Sequence, residues 1–357
     1  MTNCDNTAHG MHFLIIRFRQ LGDTVLTTPL ADTLKATFAD CRVDIVLNES
    51  LAPLLQGHPS FDRIITFTDK ERHAPLTYIR KVWRIMHAVH YDAIFDLRSN
   101  INTLIFDLFS LTTPIRSGIN RGYTELLQNF SIPTCAENEQ MIAHNLRVLE
   151  PISCLQPIVW HCIPTLYISN EEKTAFRAYM ERQGIDFSHP IMLAGVTAKL
   201  LNKRWQTERV LEVLRRLSSD WPDLQMVLNY APGREADEAQ LISRMLGLQN
   251  VFINIEAKGI RQLMAMAACC TFYFGNEGGA RHIADAMGIP TFSICSPQAR
   301  KATWIPRGDD RHQAVAVTDL ATAEELAAMT YEEQYDLITP DVVYGKLRSF
   351  MNFMSGC

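Results

Sequence analysis

At 357 residues, with 47% hydrophobic and 20% charged residues, the chain has the balance of a soluble globular protein and the length for two domains of roughly 150 residues each. A net charge of −5 argues against a dedicated nucleic-acid binder, which carries a broad basic surface. Nine scattered cysteines without C-x-x-C spacing exclude a zinc ribbon or thioredoxin motif and suit a reducing, cytoplasmic compartment; residues 1–10 show no targeting pattern, and no apolar run approaches the ~18 residues that span a bilayer.

In chain order, residues 13–16 form an apolar run that reads as a strand. A loop with Gly22 and a helical stretch to Phe38 follow. Strands are expected at 43–47 and 63–67, a helix at 76–89, and a strand at 93–97. A second cycle starts near Ile191, with strands at 191–196, 226–229, 251–253, 271–274 and 291–295. Helices at 208–217, 235–246, 260–268 and 280–287 separate them, and a last helix covers 341–354. Apolar strands alternating with helices predict α/β architecture, with mostly parallel sheets covered on both faces. The expected organisation is one doubly wound domain over 1–170, a second over 171–340, and a C-terminal helix over 341–357. Ligands of open α/β sheets bind beyond the carboxyl ends of strands, so the strand-to-helix loops are the candidate sites.

Three such loops carry chemistry. The first runs from Arg17 to Thr24 and contains Gly22-Asp23. Asp23 reads either as a helix cap or as a carboxylate general base. The second holds Thr197, Lys203 and Arg204, which are suited to a phosphate group but also to a plain solvated basic loop. It lacks the Walker A pattern. The third is Gly275-Asn276-Glu277-Gly278-Gly279-Ala280-Arg281-His282. A glycine-rich turn at a helix start lets a ligand approach the backbone and the positive dipole end. His282 falls in the first helical turn, as a phosphate contact or as a structural residue. G-x-G-x-x-G, G-x-S-x-G, H-E-x-x-H and D-x-D are all absent. His87 and His90 lack a third ligand at metal-site spacing, and Glu171-Glu172 and Asp309-Asp310 read as solvated pairs.

Residues 70–84 bring Lys70, Arg72, Arg80, Lys81 and Arg84 together, with Leu76, Ile79, Val82, Trp83 and Met86 at helical spacing among them. The segment predicts an amphipathic helix. Its apolar side, Trp83 included, would face the core, and its basic side would be free for anionic headgroups or phosphates.

The three loops together resemble glycosyltransferase family 9, the lipopolysaccharide heptosyltransferases. The resemblance rests on Phe13-Leu14-Ile15-Ile16-Arg17, Leu21-Gly22-Asp23 and Leu26-Thr27-Thr28-Pro29-Leu30. It continues with Lys203-Arg204-Trp205, with Gly275 to Ala284, and with Ala286-Met287-Gly288-Ile289-Pro290-Thr291. It implies a GT-B type fold, two Rossmann-like domains facing across a cleft, and an inverting transfer that needs no metal or other cofactor. An ADP-heptose-like nucleotide-sugar would be the donor and a lipid-linked saccharide of the lipopolysaccharide core the acceptor. Asp23 matches the family's general base and Lys203 its donor-phosphate lysine. Its phosphate-contacting threonine falls at Thr197, its nucleotide-contacting acid at Glu235, and its signature histidine at His282 beside Gly279. The N-terminal domain would hold the acceptor, which assigns Arg80, Lys81 and Arg84 to acceptor binding and makes peripheral contact with the inner face of the cytoplasmic membrane an expectation. Two departures stand out. Glu277-Gly278 occupies the place of the family's Asp-Thr or Asp-Ser, and Arg19-Gln20 the place of small polar residues. A transferase using another sugar nucleotide, or a non-catalytic glycan-binding relative, would share much of this pattern.

Overall fold

Phe13, Leu14, Ile15 and Ile16 are all fully shielded from solvent, so strand β1 (His12–Ile16) is apolar on both faces and needs covering on each. In the computed structural model, which describes residues 10–306 and 310–356, β1 lies in the middle of a parallel six-stranded sheet. Cys4, Asp309 and Cys357 lie outside the described residues. The other strands of this sheet are β2 (Arg42–Asn48), β3 (Arg63–Phe67), β4 (Ala93–Asp96), β5 (Ile115–Ile119) and β6 (Phe130–Ile132). Their order is β3-β2-β1-β4-β5-β6, with Ile16 beside both Val46 and Asp96, and Asp96 beside Gly118. Strand order therefore reverses between β1 and β4. Strands β5 and β6 were not expected.

The chain divides into two compact units, 1–165 and 166–357. The second repeats the topology of the first. Its strands are β7 (Ile191–Gly195), β8 (Gln225–Leu228), β9 (Val251–Phe252), β10 (Phe272–Asn276), β11 (Thr291–Ile294) and β12 (His312–Val315). They are ordered β12-β11-β10-β7-β8-β9, all parallel, so the reversal falls between β7 and β10. Gly275 pairs with Gly195 there, and a Cβ on Gly275 would lie 2.2 Å from the Gly195 carbonyl oxygen. Only glycine permits that approach. Strand β12 was not expected. The helix Pro340–Gly356 packs on the helix Thr207–Asp220 and places Val343, Leu347 and Phe350 in a core with Trp205, Phe272 and Phe292.

The helix Pro75–Ala88 forms as the spacing predicts, but only part of its expected apolar side meets the core: Val82 and Met86 do, and Leu76, Ile79 and Trp83 do not. Tyr78, Val82, Ile85 and Met86 are buried against Leu14, Ile16, Val46 and Ile65. Leu76, Ile79 and Trp83 face outward, with Leu76 85% and Trp83 48% exposed. Among the described residues, no helix is long and apolar enough to cross a membrane.

Candidate functional site

The strand-order reversals collect Asp23 in the first unit and Thr197, Glu277, Gly278 and Gly279 in the second, whereas Glu235 follows β8 and Arg80, Lys81 and Arg84 lie on the helix Pro75–Ala88. In the first unit, β1 runs into Arg17 and the five-residue helix Leu21–Val25. Asp23 does not cap that helix. The N-cap is Gln20, without a side-chain bond, and Asp23 sits inside the helix with Oδ1 2.8 Å from Arg17 Nη2. Arg17 is buried and also donates to the Leu97 carbonyl at 2.5 Å, which fixes it across the β1/β4 seam. The carboxylate remains partly open to solvent and is held in place by its ion pair with Arg17.

In the second unit, Thr197 follows β7 and Glu277 follows β10. Asn276, 4% exposed, ties the loops together. Its Nδ2 donates to the carbonyls of Val196 (3.0 Å) and Thr197 (3.3 Å), and its Oδ1 accepts the Trp205 N–H at 3.0 Å. Lys203 is thereby held near the glycine turn, with Nζ 3.0 Å from Glu277 Oε1, an oxygen that also accepts from Ser296 Oγ at 2.9 Å. Thr197 Oγ1 donates to Glu235 Oε2 at 2.9 Å. Gly278 precedes the helix Gly279–Ala286, and a Cβ built on it would meet nothing within 4 Å, so the backbone there is open to a ligand.

His282 is buried rather than presented. Arg281 Nη2 lies 2.8 Å from its Nδ1, and burial, with the charges of Arg281 and Lys203, holds the imidazole well below its usual range and therefore neutral. Arg281 itself is held by Asp285 at 3.3 Å and by the Trp304 carbonyl at 2.9 Å.

The expected basic face of the helix Pro75–Ala88 is only partly free. Lys81 Nζ lies 2.7 Å from Glu71 Oε1 and 4.5 Å from the centre of the Phe67 ring, so it is engaged within the unit. Arg80 and Arg84 are exposed. Glu172, expected in a solvated pair, bonds Arg261 (Oε1 to Nε, 2.8 Å) and completes a capping box with Ser169. His87 stacks on Trp83 at 4.5 Å. Among the described residues one group offers metal-type ligands: atoms of Cys135, Glu139 and His144 lie within 4.8 Å of one another. Glu139 is already held by Arg147 (3.2 Å) and by the Ala136 N–H (3.1 Å).

Sequence reasoning gave no role to Arg17, Asn276 or Ser296. Asn276 stands inside the glycine-rich motif, but its partners Trp205 and Val196 lie 71 and 80 residues away in the chain, and Arg17, besides the nearby Asp23, reaches Leu97, 80 residues away.

Comparison with known proteins fits this arrangement. Residues 79–335 match glycosyltransferase family 9 (heptosyltransferase). The chain is 22% identical over 286 residues to lipopolysaccharide heptosyltransferase 3 of Escherichia coli K12, covering 77% of this chain and 80% of that one. Its fold matches the crystal structure of a family 9 glycosyltransferase from Veillonella parvula with a TM-score of 0.78 at 16% identity, covering 95% and 97% of the two chains. It also matches E. coli ADP-heptose lps heptosyltransferase II with a TM-score of 0.70 at 18% identity, covering 97% and 100%.

Proposed function

The chain belongs to glycosyltransferase family 9, and on that premise we propose that it is an inverting, metal-independent transferase that moves heptose from an ADP-linked donor to a lipopolysaccharide core acceptor. The donor is inferred from the solved ADP-heptose enzyme with the same fold, and the acceptor class from the curated heptosyltransferase relative. The first unit holds the acceptor and the second the donor.

An acceptor hydroxyl is a weak nucleophile until a base takes its proton in the transition state. Asp23 takes it, and Arg17 keeps the carboxylate oriented and charge-paired. The hydroxyl oxygen forms its bond to the anomeric carbon as the bond to the diphosphate breaks. A single displacement inverts that carbon and leaves the electron pair on the departing phosphate. Lys203, Thr197 and the N–H groups at Gly279 meet this charge, which removes the need for a divalent ion. Thr197 and Lys203 each exchange a carboxylate partner, Glu235 and Glu277, for phosphate when the donor enters. Arg80 and Arg84, beside the exposed Trp83 and Leu76, make peripheral contact with anionic lipid on the cytoplasmic side of the membrane.

The observation that carries this reading is the pairing of Asp23 with Arg17 at one strand-order reversal, repeated in topology by Lys203 and the glycine turn at the other. It is tested by incubating the full chain with ADP-heptose and truncated core acceptors in the presence of EDTA. The product is read by mass spectrometry and its anomeric configuration by NMR. The expected result is one added heptose, inverted at the anomeric carbon, and loss of at least about a hundredfold in kcat for Asp23→Asn with ADP affinity retained. Transfer from a different sugar nucleotide would reassign the donor. An Asp23→Asn variant with most of its kcat would overturn the base.

A further inference from the structure

Between β6 and the helix Met141–Leu146, residues 133–140 form neither strand nor helix. Three different donor chemistries converge on this stretch: the thiol of Cys135, the carboxylate of Glu139 and the imidazole of His144. One donor atom from each lies within 4.8 Å of the other two. Glu139 divides its two oxygens. Its Oε1 pairs with Arg147 Nη1 at 3.2 Å, which fixes the plane of the carboxylate. Its Oε2 accepts the Ala136 N–H at 3.1 Å and faces His144 Nδ1 at 3.3 Å.

His144 is 2% exposed, and its Nδ1 has no hydrogen-bond partner among the described residues, the contact with Glu139 included. A buried polar atom left in that state calls for an explanation. The separation itself supplies one. A charge-assisted hydrogen bond would draw nitrogen and oxygen to about 2.7–2.9 Å. A tetrahedral metal ion with bonds of about 2.0–2.2 Å to each holds them about 3.3–3.5 Å apart. The corresponding distance to a thiolate sulfur is about 3.6 Å, so Cys135 Sγ reaches its place by an inward shift of about 1 Å.

We propose that Cys135, Glu139 and His144 bind a borderline divalent transition-metal ion of the zinc class, with water in the fourth position. One thiolate, one imidazole and one carboxylate make a mixed set that magnesium and calcium, which take oxygen ligands, do not favour. On binding, the Cys135 thiol gives its proton to solvent and the imidazole coordinates as the neutral ring through Nδ1. The ion ties residues 135–139 to the helix Met141–Leu146. The residue after His144, Asn145, donates from Nδ2 to the Leu26 carbonyl at 3.2 Å, and Leu26 is the C-cap of the helix that carries Asp23. The ion is thus a staple behind that helix and takes no part in transfer.

Its binding is tested without donor or acceptor. The full chain is stripped with EDTA, freed of the chelator, and titrated with Co2+ and then with Zn2+. One equivalent of Co2+ is expected to give a thiolate-to-cobalt charge-transfer band and the strong visible bands of tetrahedral cobalt, and Zn2+ to remove both. Cys135→Ser should abolish the charge-transfer band. His144→Gln should weaken cobalt binding at least about tenfold, since even the outer partners of metal ligands contribute that much. Zn2+ at a hundredfold excess over its Kd should raise the thermal midpoint of the wild type by about 5 °C or more. Each variant is compared with itself in EDTA. A purely structural loss lowers both midpoints alike, whereas loss of a ligand removes the zinc-dependent rise. Cys154→Ser and Cys162→Ser, at exposed thiols, should keep the band and the rise. A missing charge-transfer band, one that survives Cys135→Ser, or one that is lost with either exposed thiol would overturn the site. A zinc-dependent rise that is absent from the wild type or kept by Cys135→Ser would do the same. Transfer that stops in EDTA but survives Cys135→Ser would instead overturn the metal-independent reading of the reaction and leave this site standing.

Discussion

Lys203 Nζ and Glu277 Oε1 lie 3.0 Å apart at the end of β10, so the lysine proposed to meet the donor diphosphate is already neutralised by a carboxylate. Glu277 is the more buried partner, and Ser296 holds the same oxygen. A phosphate must therefore compete with Glu277 for Lys203. A hydrogen bond to a charged group contributes about 1.5–3 kcal/mol, so Lys203→Ala should weaken ADP binding about ten- to a hundredfold and lower turnover. Glu277→Gln, which frees the lysine, should bind ADP at least as tightly as the wild type. Titration calorimetry checks both. An ADP affinity for Lys203→Ala within twofold of the wild type would make the lysine a bystander.

Asn276 is expected to be more sensitive to charge than to truncation. Its amide donates to two carbonyls and its oxygen accepts one N–H. Asn276→Asp keeps the shape but turns an acceptor-only, ionised group toward the oxygens of Val196 and Thr197. An uncompensated buried charge costs about 3 kcal/mol or more, whereas Asn276→Ala loses hydrogen bonds alone. The thermal midpoint should fall further for the aspartate than for the alanine, and ADP affinity should fall with both. Equal midpoints would show that the amide does not hold the loops.

These two cases mark what was legible in the sequence. The central strands could be read because Phe13 to Ile16 and Ile191 to Val196 are unbroken apolar runs. Strand β5 escaped because Arg116, Ser117 and Gly118 interrupt it, and β6 and β12 because edge strands need no apolar run on both faces. Gly22-Asp23 and the glycine turn stood out through local chemistry. Asn276 did not, because its partners Trp205 and Val196 are brought to it by strand adjacency, which the chain order hides, and Arg17 did not because a residue directly after a buried strand carries no signal of which side chain it pairs with. In the helix Pro75–Ala88 two stripes share helical spacing, Leu76-Ile79-Trp83 and Tyr78-Val82-Ile85. Periodicity gives the helix but not which stripe meets the sheet, and only the packing decides.

The outward turn of Leu76, Ile79 and Trp83 sharpens the membrane expectation. Charge reversal at Lys81 would set a glutamate against Glu71 and disturb the unit itself, so the informative variant is Arg80→Glu with Arg84→Glu. Each basic residue near an anionic surface contributes about 1 kcal/mol, so association with phosphatidylglycerol vesicles should fall by about tenfold or more at low salt. The difference should shrink as salt is raised. The acceptor KM should rise in parallel, with ADP affinity unchanged. Vesicle sedimentation and acceptor kinetics that are both indifferent to the double substitution would reduce this face to a structural helix.

Asp107 gives a pH dependence with a definite sign. It is fully shielded, its Oδ2 accepts from Gln128 Nε2 at 3.3 Å, and its Oδ1 has no hydrogen-bond partner among the described residues. Burial first, and the nearby Asp96 second, push its carboxyl well above the usual carboxylate range. A group whose folded pKa is raised contributes its full stability below the unfolded value, here the ordinary carboxylate pKa of about 4, and loses it as pH rises toward the folded value. Asp107→Asn carries no such penalty, because the amide stays neutral and can still meet Gln128. Its thermal midpoint should equal or trail that of the wild type near pH 4 and gain on it progressively toward pH 8. Melting curves collected across that window check the slope. A midpoint difference that stays constant with pH, or runs the other way, would show that Asp107 is ionised and paired in the folded unit.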